Sequence, residues 1–233
     1  MDEAWDDGVV TRETYYYRFK GEVNTGHVIG VAVRRALEVG ASALIVASET
    51  GRSALRAARL LRGLGAGLRL VVVTHPPDET WGPRGGIPVG LRHPRNAGAL
   101  RCLEALGAVV VQGTRPLAPP SRSVGWEKAL PEVIIDKVWG VFGQGVKIAV
   151  EASLMAADAG AVGRGDVVVS MGGTFKGLDA AIVAKTTYSY YFLREYELLE
   201  VVAKPYHGRV SLPEYEDPTW KGDLEQYYGE IEC

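Results

Sequence analysis

Small hydroxyl residues and glycines gather where the apolar runs of this chain end. Ser48-Glu49-Thr50-Gly51-Arg52-Ser53 follows the run at 43–47, Thr74-His75 ends 68–74, and Gln112-Gly113-Thr114 follows 108–111. Gly172-Gly173-Thr174-Phe175-Lys176-Gly177 follows 166–171. Glycines let backbone N–H groups come close to an anion, hydroxyls add hydrogen bonds, and Lys176 adds a charge. That combination predicts binding of a phosphorylated small molecule. Ser48, Thr50, Gly51, Gly172, Gly173 and Thr174 would form an anion cradle, flanked by Asn24, Thr25 and Thr74. Taken singly, Ser48, Thr50 and Asn24 are also the residues that cap helices in any α/β protein. The case therefore rests on their coincidence at one sheet edge. Glu49 would stabilise a helix N-terminus but repel an anion there, so it is assigned to ligand hydroxyls. His75 is the only histidine directly at the end of a buried run, which makes it the candidate acid, base or ligand contact, with Lys176 as the alternative.

Several chemistries are excluded. There is no G-x-x-x-x-G-K-[ST] and no G-x-G-x-x-G between a strand and a helix, so neither standard nucleotide fingerprint is present. No H-E-x-x-H or H-x-x-x-H pair predicts a metal, and no nucleophile elbow predicts acyl transfer. The 233 residues carry a formal charge of −2 and no basic stripe with interleaved aromatics, which argues against nucleic acid as a partner. No uncharged apolar stretch approaches the roughly 18 residues of a membrane span. The first residues are acidic where a signal peptide would be basic, so a cytoplasmic protein is expected. Two cysteines cannot supply a disulfide framework or a thiolate metal site, and Cys102 is read as a small buried hydrophobe. Arginine outnumbers lysine 18 to 8, with two Asn and three Gln, a composition that fits a hot habitat.

The elements that must position these residues alternate. Val28, Val31, Ala32, Ala36 and Val39 recur at helical spacing, predicting a helix over 25–39. Ala43-Leu44-Ile45-Val46-Ala47 reads as a strand buried on both faces, then a helix through Ala54, Ala58 and Leu61, then a second buried strand over 68–74. The segment 75–94 is too long and irregular for a connector and predicts a functional loop that, with Trp81, would form a lid. A helix from Ala97 to Leu106 and a strand at 108–111 complete three strand-and-helix units, the pattern of an α/β fold with a parallel sheet. Two more helices are expected, the second over 146–159, although Val146-Lys147-Ile148-Ala149-Val150 also alternates like a strand. On that helix Lys147 is expected to pair with Glu151. A fourth strand at 166–171 and a fifth at 180–186 are joined by a short connection, which predicts an antiparallel edge. A sixth strand spans 197–204. Residues 1–23 predict an arm or short edge strand, 24–204 the α/β domain, and 205–233 an aromatic, acidic tail lying over its own domain or a neighbouring subunit. A homo-oligomer follows from the latter.

Ala43 to Ser53 is similar to the strand and turn that open the C-terminal domain of pyruvate kinase, where that turn holds an effector phosphate in regulated members. Asp166 to Gly177 matches the place of that domain's second, glycine-containing effector loop. Together with Asn24-Thr25, Val71-Val72-Val73-Thr74-His75, Phe142-Gly143-Gln144-Gly145 and Met155-Ala156-Ala157-Asp158-Ala159-Gly160, these pieces resemble a largely archaeal family of stand-alone proteins named for pyruvate kinase C-terminal-like folding. The resemblance covers about residues 20 to 205. It implies a three-layer α/β sandwich and flavin mononucleotide (FMN) as ligand. No counterpart of pyruvate kinase's catalytic barrel is present in these residues, so phosphoryl transfer from phosphoenolpyruvate is not expected. Phe175 stands where the family more often has a small residue. Two alternatives stay open: an enzyme acting on a phosphorylated metabolite in the same cleft, and a structural or oligomerisation module without a ligand.

Overall fold

The apolar runs become the centre of one sheet. The computed structural model describes residues 8–79, 88–117, 123, 129–207, 231 and 233. The chain runs β1 (Tyr15–Tyr17), α1 (Thr25–Glu38), β2 (Ala43–Ala47), α2 (Arg52–Gly63), β3 (Arg69–Thr74) and the short pair β4 (Asp78–Glu79) and β5 (Pro88–Val89). It continues through α3 (Ala97–Ala105), β6 (Val109–Gln112), α4 (Pro131–Phe142), α5 (Gln144–Asp158), β7 (Val167–Gly172), β8 (Ala180–Lys185), α6 (Phe192–Glu195) and β9 (Glu197–Pro205). Seven strands form one mixed sheet in the order β1-β9-β8-β7-β2-β3-β6, and β4 pairs only with β5.

Strand alternation sorts the core into two layers. Leu44, Val46, Leu70, Val72, Val169 and Met171 face α1, α2 and α3, while Ala43, Ile45, Val71, Val73 and Val168 face α5. The result is a three-layer α/β sandwich, with α4 lying outside α5. This second cover explains the ambiguous stretch at 146–150. A helix between a sheet and another helix is apolar nearly all round, so its periodicity fades. Val146, Ala149, Val150, Leu154 and Ala156 are all fully buried. Small side chains dominate because α5 lies close on the sheet: any Cβ on Gly172 of β7 would collide with the Gly145 carbonyl.

β8 returns antiparallel to β7, as its short connection predicts, but it is third from the rim. β9 pairs antiparallel with its far side and β1 pairs parallel with β9. Ala181 and Val183 pack in the layer of α1 and Ala180, Ile182 and Ala184 in that of α5, so this strand is buried on both faces and reads as an unbroken apolar run. β1, with its tyrosines, supplies the true edge.

Two expectations are corrected. Lys147 does not pair with Glu151. Its Nζ donates to Asp136 Oδ2 on α4 at 2.9 Å, and Glu151 Oε2 instead takes Arg115 Nη1 at 3.2 Å. Helix spacing allowed the local pair, but buried charges are satisfied by whichever partner the packing brings. Cys102 is buried, as expected, yet it is also bonded to Cys233, with their Cα atoms 5.2 Å apart across 131 residues of sequence. The tail segment 208–230 and Trp81 lie outside the described residues. Among the described residues no helix is long and apolar enough to cross a membrane, and no cluster of metal-ligating side chains occurs.

Candidate functional site

From β2 the crossovers through α2 and α3 step one way, to β3 and β6, whereas β7 lies on the other side of β2. The turns that leave β2 and β7 must therefore part at the carboxyl end of the sheet. Open α/β sheets place ligands in the crevice this creates. A cleft of about 270 Å³ occupies that position. Ser48, Glu49, Thr50, Arg52 and Ser53 enter it from the β2 turn and the start of α2, and His75 enters from the end of β3. Gly173, Phe175, Lys176 and Gly177 come from the loop after β7, and Gln144 and Ile148 from the first turns of α5.

Two helix N-termini thus point into one hollow, each presenting unpaired N–H groups and partial positive charge. At the start of α2 the chain turns on Gly51, whose φ of +84° suits glycine. A Cβ there would also meet Ala99 at 2.6 Å. Arg52 and Lys176 add formal positive charge. Lys176 Nζ lies 3.4 Å from Glu22, which also lines the cleft.

Glu49 has a different role from the one its position suggested. Its Oε2 accepts from the Thr74 hydroxyl at 3.1 Å, the His75 N–H at 3.2 Å and the Gly90 N–H at 3.1 Å. Its Oε1 meets His75 Nδ1 at 2.5 Å. Burial alone would raise its pKa. The side-chain bond and charge of His75, with the His75 N–H and the Thr74 hydroxyl, outweigh burial and hold the carboxyl below its ordinary value. Glu49 is therefore a clasp joining three loops, and it fixes the His75 ring through Nδ1.

Of the residues singled out from sequence, Ser48, Glu49, Thr50, His75, Gly173 and Lys176 line the cleft. Asn24, Thr25, Gly51, Thr74, Gly172 and Thr174 stand behind its wall. Asn24 Nδ2 donates to the Phe19 carbonyl at 2.8 Å. Thr25 Oγ1 accepts from the Leu178 N–H at 2.9 Å, which ties α1 to the loop after β7. Thr74 accepts the Leu91 N–H at 3.2 Å. Thr174 is buried beside Asp179. Burial pushes the Asp179 carboxyl up, opposed by bonds from Thr174 and from the Gly21 N–H.

Ser53, one of the hydroxyls expected to bond a ligand, also lines the cleft; sequence reasoning gave no role to Arg52 or Gln144, although both lie inside quoted motifs. Phe175 has φ +66°, the only non-glycine residue with positive φ among the described residues, and its ring is nearly half exposed at the cleft wall. Such strain at a ligand-facing turn is a feature of functional loops. Of the 75–94 loop, Val89 reaches the cleft.

The family model of the pyruvate kinase alpha/beta domain matches residues 27–184, well over half of the chain. The chain belongs to that family. The matched span runs from α1 to β8 and contains every cleft residue named above except Glu22. In this family member the two strands at one rim of the sheet, β9 and β1, lie outside the match.

Proposed function

We propose that the cleft binds a phosphorylated small molecule, and that FMN is the ligand. One observation carries this reading: the N-termini of α2 and α5 converge on the cleft together with Arg52 and Lys176. The hydroxyls of Ser48, Thr50 and Ser53 stand beside them and suit a phosphate. Ala47, Val89, Ile148 and Phe175 form an apolar side of the same cleft that suits a planar ring. The residues present therefore fit the two halves of FMN. The cleft's volume, about 270 Å³, falls just below the roughly 300–1,000 Å³ of small-molecule sites. Bound flavin would supply one- or two-electron transfer. The chain's own part would be to hold the phosphate at the helix termini and the ring against Phe175.

The second reading, an enzyme acting on a phosphorylated metabolite, is favoured by the Glu49–His75 contact. That contact orients one ring nitrogen and is the arrangement used to position an acid or base. Lys176, ion-paired with Glu22, serves better as a phosphate-binding charge than as a base. The proposal includes self-association, supported by the exposed apolar row Ile134, Val138, Val141 and Phe142 on α4. It also includes a cytoplasmic location. The proposal includes a hot habitat too, in which an intracellular protein can keep a disulfide such as Cys102–Cys233.

The test is native mass spectrometry and a visible spectrum of freshly purified protein, followed by titration with FMN and with riboflavin. A co-purified yellow ligand, or FMN bound far more tightly than riboflavin, supports the reading. A colourless protein whose melting temperature no phosphorylated compound shifts would leave a structural module. Retained ligand affinity with turnover lost in His75→Ala would favour the enzyme.

A further inference from the structure

Positive charge is unevenly spread along this chain. Nine arginines fall between Gly51 and Leu103, against two acidic residues, Asp78 and Glu79, although the whole protein is formally −2. On α2 the arginines form a row. Arg56, Arg59 and Arg62 are three residues apart and exposed, and Arg52 at the cleft precedes them by one turn. Residues three and four apart are neighbours on a helix, so these like charges repel. α2 has no acidic residue to relieve them. The helices packed beside it, α1 and α3, carry one each, Glu38 and Glu104. Glu38 is taken by Arg35, and Glu104 has Arg101 one turn before it. The counter-charge of the row therefore has to come from outside this helix layer.

The chain supplies a segment of opposite charge and anchors it here. Residues 211–232 carry seven acidic residues and one lysine. Cys233, next in sequence, is bonded to Cys102 of α3. Ile231 packs on the apolar layer that holds Ala58 and Leu61 of α2 with Ala99 and Cys102 of α3. Both anchors thus belong to the layer that bears the arginines. Upstream, the chain leaves β9, which β8, β7 and β2 separate from β3. Four strand spacings are about 19 Å, whereas the 23 residues 208–230 reach up to about 75 Å. The segment is long enough to lie along α2 before it meets α3. α2 also has no aromatic side chain on which a nucleic-acid base could stack, so its guanidinium groups suit the carboxylates of a peptide better.

We propose that the arginine face of α2 is a docking surface for an acidic peptide segment, and that its occupant is residues 211–232 of the same chain, drawn there by charge and held by the Cys102–Cys233 bond. The inference is independent of what the cleft binds.

Cross-linking tests the occupant. Arg56→Lys, Arg59→Lys and Arg62→Lys together keep the charge and supply amines. The oxidised triple variant, as a mixture of ¹⁴N and ¹⁵N protein, is treated with a carbodiimide, which joins an amine to a carboxylate in contact, and the linked peptides are read by mass spectrometry. Links from the three lysines to carboxylates between Glu214 and Glu232, each within chains of one isotope, are expected, and they should weaken in about 1 M salt. Links that join only ¹⁴N to ¹⁵N chains would give the face to a second copy and overturn the proposal, as would no link to the segment. Thermal melts give an independent measure. Arg56→Glu with Arg62→Glu should lower the melting temperature by about 2–6 °C at low salt. The same pair should cost nothing once the seven acidic residues are changed to Gln or Asn, and equal losses in both backgrounds would refute the docking. A single-stranded oligonucleotide bound by the wild-type protein through Arg56 and Arg62 would assign the face to a polyanion, and would refute it too.

Discussion

Replacing Glu49 by Gln tests the clasp that shapes the cleft. The carboxylate receives three donors on Oε2, at 3.1–3.2 Å, and the His75 ring on Oε1. A Gln carbonyl can keep the three donors. Its NH₂ then faces His75 Nδ1, which must become an acceptor, so the ring changes tautomer and the charge-assisted bond is lost. Hydrogen bonds to charged groups are worth about 1.5–3 kcal/mol. The Glu49 side chain is 30% exposed, and solvent screening brings the expected loss to about 1–2 kcal/mol at neutral pH. At about 2–4 °C per kcal/mol for a chain of this size, the melting temperature should fall by roughly 2–8 °C. The sign with pH is fixed. The folded-state pKa of Glu49 lies below its ordinary 4.5, so its contribution is complete above that value and disappears as pH falls through the folded one. The gap between wild type and Glu49→Gln should therefore be widest near neutrality and close in acid. Glu151, held high by burial, has the opposite dependence, but it is present in both proteins and cancels in the difference. Thermal melts across pH, with ¹⁵N NMR of the His75 ring, measure both effects. A gap that is absent at neutral pH, or that persists unchanged in acid, would refute the clasp.

Phe175→Gly should be more stable than Phe175→Ala by about 1 kcal/mol, since both lose the ring and only Ala keeps a Cβ at φ +66°; equal melting temperatures would show that the turn relaxes. Reduction of Cys102–Cys233 removes a cross-link spanning 131 residues, worth at most about 5 kcal/mol on the chain-entropy account. Denaturant melts with and without reductant should separate clearly, and coincident curves would show that the bond constrains nothing. Lys147→Met leaves Asp136 as an unpaired buried charge and should cost about 3–5 kcal/mol, while Lys147→Met with Asp136→Leu should recover most of it. A double variant no better than the single one would mean that packing, not charge, sets the cost.

The order of elements was legible because the strands are buried on both faces and read as unbroken apolar runs. The same property hid where the strands lie in the sheet. Ala180 to Ala184 shows a strand, but only pairing by β9 and β1, far along the chain and at its start, decides that it is interior. The cleft was legible at turns whose composition is special, such as Ser48 to Ser53 and Gly172 to Gly177. Arg115 and Glu151 were missed as a pair because 36 residues separate them and helix spacing offered Lys147 as a nearer partner. The bond between Cys102 and Cys233 escaped for the same reason.

Glu49 seemed to count against anion binding, since a carboxylate beside helix N-termini should repel a phosphate. Its hydrogen bonds remove the contradiction. All four donors to its two oxygens come from Thr74, His75 and Gly90, so the negative charge is turned toward the loops it joins. The imidazole beside Oε1 compensates it further whenever that ring is protonated. What faces the cleft from the β2 turn is then dominated by the N–H groups of α2 and by the guanidinium of Arg52, with α5 and Lys176 opposite. The carboxylate thus holds in place the loops that carry the positive ends, and under the proposed function its being already occupied leaves room for a phosphate beside it.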